Sequence, residues 1–139
     1  MLQCVFVHSE RYGALLTRYF DISIPLHARK QLEAVVERWW KRKRQEIDGS
    51  DKVMMCNQSY VLIRFLGELR VTLVGTGEYD EFVLHDVMGV LSAFLTTQLK
   101  KLTESAFLEN YAAVVISLDE IIQCSHWEST ELVPSSTRT

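Results

Sequence analysis

The alternation of apolar and polar residues predicts a β-sheet of five strands. Residues 2–8 are apolar on nearly both faces, which is typical of a strand in the middle of a covered sheet. Residues 14–20 follow after a polar turn and complete a hairpin. Three further strands are predicted over residues 53–56, 60–65 and 69–75, and the last of them alternates as a half-buried strand does.

Helical periodicity appears in three parts of the chain. Between residues 26 and 44 the apolar positions recur every three or four residues, which predicts an amphipathic helix with one apolar stripe. Two more helices are predicted within residues 84–102 and 108–122, and their apolar arcs are wider than a helix lying on a sheet requires. We expect this surplus to contact a partner. The predicted order of elements is ββαβββαα.

The length and charge of the chain restrict its class. With 139 residues, 47% of them hydrophobic, the chain is long enough for one domain with a core of two or three layers. We expect this domain over residues 1–127 and a flexible polar tail over residues 128–139. The net charge of -3 argues against nucleic acid as a partner.

The cysteines and the N-terminus predict the compartment. Cys4, Cys56 and Cys124 are an odd number at spacings that match no metal motif, which favours free thiols in a reducing compartment. The N-terminus lacks the basic flank and long apolar run of a signal peptide. No apolar run approaches the ~20 residues that cross a bilayer. We therefore expect a cytoplasmic protein whose association with membranes is peripheral.

Three stretches resemble the small subunits of vesicle coats. Residues 12–20 are similar to the second strand of the sigma chains of clathrin adaptors and of the zeta chain of coatomer, and residues 60–74 are similar to their fourth and fifth strands. In the last predicted helix, Asn110 is followed after eight residues by Asp119 and Glu120, which is the family's spacing. By the order of these stretches the chain is identified as a member of the small longin-like coat subunits.

This resemblance implies both a fold and a function. The adjacent Trp39 and Trp40, the basic run after them and the short Ser/Thr tail differ from sigma chains and favour the small subunit of the TSET, or plant TPLATE, complex, a relative of both. The implied fold is an α/β (α+β) longin-like domain, whose five-stranded antiparallel sheet has one helix on one face and two on the other. The implied function is non-catalytic and needs no cofactor. Such a subunit binds a large solenoid subunit and helps to build the core of a complex that sorts cargo at plasma, endosomal or Golgi membranes, here expected in clathrin-associated endocytosis.

The residues expected to contact the large subunit lie mainly on the predicted helices. These partner-binding residues are Trp40, Phe94, Phe107, Tyr111, Asp119 and Glu120. Adjacent helix positions point ~100° apart, so Trp39 and Trp40 can hardly both be buried in one direction, and Trp40 is either an exposed anchor or part of the core. Because Asp119 and Glu120 diverge in the same way, a helix-end contact is favoured over an acid-base pair.

The alternative function is direct binding of phosphoinositides or of dileucine cargo peptides. The basic residues Arg38, Lys41, Arg42, Lys43 and Arg44 suit an anionic lipid headgroup. They equally suit a solvated helix end that the helix dipole stabilises.

A cargo-peptide site is not expected from the sequence. In sigma chains the dileucine pocket has apolar residues near the fourth and fifth strands and a basic residue early in the second strand. The apolar part partly persists here at Gly67 and Leu69, but Ala14 occupies the basic position, with Arg18 four residues later. Without that charge, the acid of the peptide lacks its partner.

No arrangement of residues predicts an enzyme or a metal site. The histidines His8, His27, His85 and His126 are scattered along the chain, and no Gly-rich phosphate motif is present. An enzyme would require a pocket that gathers His85 or Cys56 with a carboxylate.

Overall fold

The computed structural model describes residues 1–43 and 51–130, with side chains described for residues 1–42 and 51–123. The strands are β1 (Leu2–Ser9), β2 (Gly13–Tyr19), β3 (Lys52–Cys56), β4 (Ser59–Leu66) and β5 (Leu69–Thr76). The helices are α1 (Leu26–Lys43), α2 (Glu81–Leu99), α3 (Glu104–Glu109) and α4 (Tyr111–Thr130). All five strands and α1 were predicted, and their ends within the described residues differ from the prediction by no more than one residue.

The five strands form one antiparallel sheet in the order β2-β1-β5-β4-β3. The predicted α+β fold with a five-stranded antiparallel sheet is therefore confirmed. The first strand lies inside the sheet, as its apolar character on both faces indicates, and it pairs with both β2 and β5. Strands β2 and β3 form the two edges.

Two-residue turns set the register of the β3–β4 pair and of the β4–β5 pair. Asn57 and Gln58 connect β3 to β4, and Gly67 and Glu68 connect β4 to β5. Asn57 has φ 58° and Gly67 has φ 61°, the left-handed conformation that such tight hairpins need and that Asn and Gly adopt most readily.

The chain divides into two compact units, residues 1–85 and residues 86–139. In the first unit, the apolar stripe of α1 packs on one face of the sheet. Val36, Trp39 and Trp40 share a buried cluster with Cys4, Phe6, Tyr19, Val61, Ile63 and Val74. The predicted stripe of α1 is therefore its core-facing side. The arrangement of the later helices on the opposite face stays a prediction.

Within residues 81–130 the structure has one helix more than the sequence pattern predicts. A separate short helix, α3, begins after Thr103, whose Oγ1 accepts a hydrogen bond from Ala106 N at 3.1 Å and so caps the helix. Asn110 ends α3, and α4 begins at Tyr111, so the last helix does not begin at residue 108 as predicted. Helix α4 continues to Thr130. Residues 128–130, expected in the tail, are thus helical, and residues 131–139 lie outside the described part.

Among the described helices, α2 is long and apolar enough to cross a membrane by length and composition alone. The expectation that no stretch reaches this limit is therefore wrong on these two criteria. A third of the stretch is buried within the chain, and the core helix of a soluble protein meets the same criteria.

Candidate interaction surfaces

Both tryptophans of α1 are buried. Trp39 and Trp40 are 9% and 8% exposed, so the expectation that neighbouring positions can hardly both be buried is wrong. The physical reason is the partly buried Phe65 of β4, which extends the apolar surface under the helix and lies 4.7 Å from the Trp40 ring, centre to centre. The structure thus places Trp40, expected at the partner interface, in the core of the first unit.

An ion pair between a buried arginine and a partly exposed glutamate lies beside this indole. Arg70 of β5 is 7% exposed, and its Nη2 donates a hydrogen bond to Glu37 Oε1 at 2.8 Å. Burial lowers the pKa of the Arg70 guanidinium, and the Glu37 carboxylate opposes that effect. The pair joins α1 to the sheet, because Glu37 lies on the helix and Arg70 on a central strand. Its role is therefore structural.

Three of the five residues expected to bind lipid have described side chains. Arg38, Lys41 and Arg42 are exposed along the second half of α1. The side chain of Lys43 and the whole of Arg44 lie outside the described part of the chain. The three exposed cations follow one another at intervals of one to four residues, so they form a compact basic patch.

A cavity of about 550 Å³ lies in the first unit beside α1. Its lining is contributed by α1, by Ile24 before the helix, by Gln3 of β1 and by the turn between β3 and β4. The apolar lining includes Leu32, Val35 and the half-buried free thiol of Cys56, whereas Arg38 provides a cation. No carboxylate and no histidine is among the described residues that line it.

The residues compared with a dileucine pocket do not form an open apolar groove. Leu69 is fully buried, and Gly67 lies in an exposed turn. Ala14 is exposed on the edge strand β2, and the guanidinium of Arg18 lies 5.3 Å from the centre of the Phe20 ring.

The partner-binding residues predicted on the later helices differ in exposure. Phe107 is fully buried and Phe94 is half-buried, whereas Tyr111 is 41% exposed. The rings of Phe107 and Tyr111 meet edge to face at 6.2 Å. Asp119 is half-buried and Glu120 exposed. Of this set, Tyr111 and Glu120 are the most accessible to a partner.

Two exposed apolar residues nearby were missed by the sequence reasoning. Leu108 at the end of α3 is 47% exposed, and Ile116 of α4 is 63% exposed. The signal was present for Ile116, because the buried residues Val114, Leu118 and Ile122 define the inner side of α4 and Ile116 lies off that stripe. Such a residue is apolar without serving the core.

Asn110 has a local structural role. Its Nδ2 donates to the carbonyl of Ala106 at 2.8 Å, and its own carbonyl accepts from Val114 N at 2.9 Å. The side chain therefore ends α3 while the backbone starts α4. Asn110 thus lies immediately before α4, and Asp119 and Glu120 lie near the middle of the same helix.

His85 does lie against a carboxylate, but the arrangement is that of an ion-pair network. Its Nδ1 is 3.2 Å from Asp51 Oδ2. Both Asp51 oxygens accept hydrogen bonds from Arg64 at 2.8 Å, and this bidentate pairing raises the pKa of Arg64. None of the three residues lines the cavity that contains Cys56. Within the described residues, no three His, Cys, Asp or Glu side chains gather as metal ligands would.

Comparison with known proteins agrees with this architecture. The profile of the family described as clathrin adaptor complex small chain matches residues 1–133. The TSET complex member tstD of Dictyostelium discoideum is 36% identical over 69 residues, which are 48% of this chain and 45% of that protein. The similarity thus spans less than half the length of this relative. Since the family profile covers nearly the whole chain, the sheet and the helices together, this protein belongs to the clathrin adaptor complex small chain family.

Proposed function

We propose that this chain is the small subunit of a TSET-type coat adaptor complex that acts in clathrin-associated endocytosis. In this role it has no catalytic activity and binds a large solenoid subunit. Its similarity to a TSET complex member supports the choice of complex. The observation that carries the proposal is the exposed apolar surface at the junction of α3 and α4, on a chain of the adaptor small chain family.

We define the α3–α4 surface as Leu108, Tyr111, Ala112, Ile116 and Glu120, all of which are exposed. Ala112, Ile116 and Glu120 follow at four-residue intervals and share one face of α4. Exposed apolar residues grouped with polar ones are typical of protein-protein interfaces. An apolar groove between the repeated helices of a solenoid is the kind of partner that this face suits.

In this proposal the protein works on the cytoplasmic side of the plasma membrane or of endosomal or Golgi membranes. Its attachment there is peripheral and depends on the complex. The coat adaptor family supports this location. Recruitment by the complex removes the need for a lipid anchor on the small subunit itself.

Affinity purification of the tagged chain from its own cells tests the proposal. We expect mass spectrometry to identify a large helical-repeat coat subunit, with cross-links from that subunit to α3 or α4. Recovery of the chain without any such subunit, under conditions that preserve a second adaptor complex in the same lysate, would reject it.

A second candidate function is direct binding of anionic lipid. The observation that favours it is the exposure of Arg38, Lys41 and Arg42 on one end of α1. A cluster of this kind gains about 1 kcal/mol per cation at an anionic surface. Binding of the isolated chain to phosphoinositide vesicles separates this function from recruitment by a partner.

A further inference from the structure

Strand β3 is an edge of the sheet, and among the described residues no second strand pairs with its outer side. Within the described residues, β3 pairs only with β4, and Cys56 opposite Ser59 is the pair next to the turn. In an antiparallel pair closed by a two-residue turn, the residue before the turn and every second residue preceding it direct their backbone N–H and C=O groups toward the neighbouring strand. The backbone N–H and C=O groups of Val53 and Met55 therefore point outward. Their side chains are 38% and 59% exposed.

The cavity continues from the end of this edge along α1. Cys56 and Asn57 line it at the β3 end, and Leu32 and Val35 line it on the helix. Gln31 adds a side-chain amide, as Asn57 does. Amide groups can both donate to and accept from a peptide backbone. This cavity, which we call the α1 groove, thus offers apolar contacts and polar partners to an extended chain.

The charged side chains of α1 along the described part of the cavity are basic. Arg38 lines the cavity, and Arg42 follows one helical turn later on the same face, with Lys41 beside it. No acidic residue is among the described residues of the lining. A second copy of this chain would bring the same cations together, and like charges repel. The groove is therefore complementary to an acidic segment.

We propose that the edge of β3 and the adjoining α1 groove bind an extended acidic segment of a partner protein, which adds to the sheet as a sixth strand. The segment forms backbone hydrogen bonds with Val53 and Met55. It places apolar side chains against Leu32 and Val35, and its carboxylates lie near Arg38 and Arg42. These residues differ from those of the α3–α4 surface, so this site does not depend on binding of the large subunit there.

The first test uses the full-length chain and synthetic peptides of about eight residues, a usual strand length. One half of each peptide is glutamate and the other half alternates valine and leucine. One peptide has its glutamate half at the N-terminus and the other has it at the C-terminus, because an added strand can run parallel or antiparallel to β3. Fluorescence anisotropy measures binding. We expect one order to bind, with weaker affinity at high salt because screening reduces the attraction of exposed charges.

Alkylation of Cys56 locates the bound peptide. Since this half-buried thiol lines the cavity, we expect saturating peptide to slow its reaction with iodoacetamide at least about threefold. Cys4 is buried, and burial raises the pKa of its thiol, so its alkylation reports unfolding and should stay unchanged. Mass spectrometry resolves the two sites.

Two variants, one control variant and a pair of N-methylated peptides identify the contacts. Arg38→Glu should weaken binding by about tenfold, whereas Lys30→Glu, at an exposed position of the same helix outside the cavity, should change it less than about twofold. Met55→Pro removes an outward N–H and should abolish binding while circular dichroism stays that of the wild type. If that variant fails to fold, peptides N-methylated on alternate residues decide. The peptide methylated on one set of alternate residues should bind, and the peptide methylated on the other set should not.

Several results would overturn the proposal. One is the absence of binding by either peptide at millimolar concentration. Others are binding that is insensitive to Arg38→Glu or to N-methylation, and peptide that leaves Cys56 alkylation unchanged. A dimer in sedimentation experiments that Met55→Pro dissociates would assign the edge to a second copy of the chain instead.

Discussion

The guanidinium carbon of Arg70 lies 4.8 Å from the centre of the Trp40 ring, so a buried cation stacks on the indole. The same guanidinium bonds Glu37, which precedes Trp40 on α1 by less than one helical turn. Arg70 of a central strand therefore makes two contacts with α1, an ion pair with Glu37 and a cation–π contact with Trp40. This arrangement explains why Trp40 belongs to the core although the sequence allows it to be an interface anchor.

Replacing Trp40 by alanine should lower the free energy of unfolding by about 3–5 kcal/mol, the usual cost of removing a buried aromatic side chain. Arg70 also loses its stacking partner. Urea denaturation measures the effect, and Arg42→Ala at an exposed position of the same helix is the control, expected within about 0.5 kcal/mol of the wild type. A Trp40→Ala protein with unchanged stability but weaker partner binding would restore the anchor hypothesis.

The stability of the fold should decrease in mild acid because of His8. Burial, and then the nearby Arg70, lower the pKa of His8 from its ordinary 6.5, against smaller opposing effects of Glu37 and Glu33. Below pH 6.5 the unfolded chain therefore binds a proton that the folded chain does not, and stability falls by up to about 1.4 kcal/mol per pH unit. Well above pH 6.5, His8 is neutral in both the folded and the unfolded chain, so it causes no loss of stability there.

Urea denaturation at about pH 7.5 and about pH 5.5 checks this pH effect, because histidine titrates between these values. His8→Gln, which cannot titrate, should show a smaller loss of stability between the two than the wild type. Equal losses in the two proteins would assign the pH dependence to other groups.

Two glycines should respond oppositely to alanine substitution. A Cβ on Gly75 would lie 2.6 Å from the backbone oxygen of Tyr79, so Gly75→Ala requires a backbone shift and should cost about 1–3 kcal/mol. A Cβ on Gly89 meets nothing within 4 Å at an exposed position inside α2. Gly89→Ala should therefore raise stability by up to about 1 kcal/mol through helix propensity. Thermal denaturation compares the pair, and a gain at Gly75 would contradict the close packing.

The sheet could be predicted from the sequence because strand periodicity and turn residues agree there. The apolar strand of residues 2–8 lies inside the sheet, and Gly67 occupies a turn with positive φ. The break between α3 and α4 was missed because no Gly or Pro marks it. It depends instead on the side-chain amide of Asn110, which donates to the carbonyl of Ala106 at the end of α3, and the start of α3 depends on the Thr103 cap.

The candidate interaction residues were predictable only in part. A wide apolar arc indicates surplus surface but does not tell which residue of the arc is buried. Phe107 is thus fully buried, whereas Leu108, its neighbour in the chain, is 47% exposed. For Trp40 the missing information was the tertiary contact with Phe65, since periodicity within α1 says nothing of what lies beneath its edge.

Charge reversal of the basic patch should distinguish direct lipid binding from recruitment by a partner. If the patch binds lipid, the triple variant Arg38→Glu, Lys41→Glu and Arg42→Glu should lose cosedimentation with phosphoinositide vesicles, since each cation contributes about 1 kcal/mol. The control is a single Lys30→Glu on the same helix. Unchanged cosedimentation would remove the patch as a lipid site.

Ile116 should contribute to the interface with the large subunit and little to the fold. Because its side chain is 63% exposed, Ile116→Glu should change the free energy of unfolding by less than about 0.5 kcal/mol. In a complex, the same change places a charge against an apolar partner surface and should lower recovery of the large subunit at least about tenfold. Gln58→Glu, exposed in the turn between β3 and β4, adds the same charge outside the α3–α4 surface and is the control. Quantitative mass spectrometry of tagged variants measures recovery of the large subunit, and urea denaturation measures the free energy of unfolding. Equal recovery of the large subunit by the two variants would contradict the assignment of this surface and would direct the search to other exposed apolar residues, such as Phe82 and Val90 of α2.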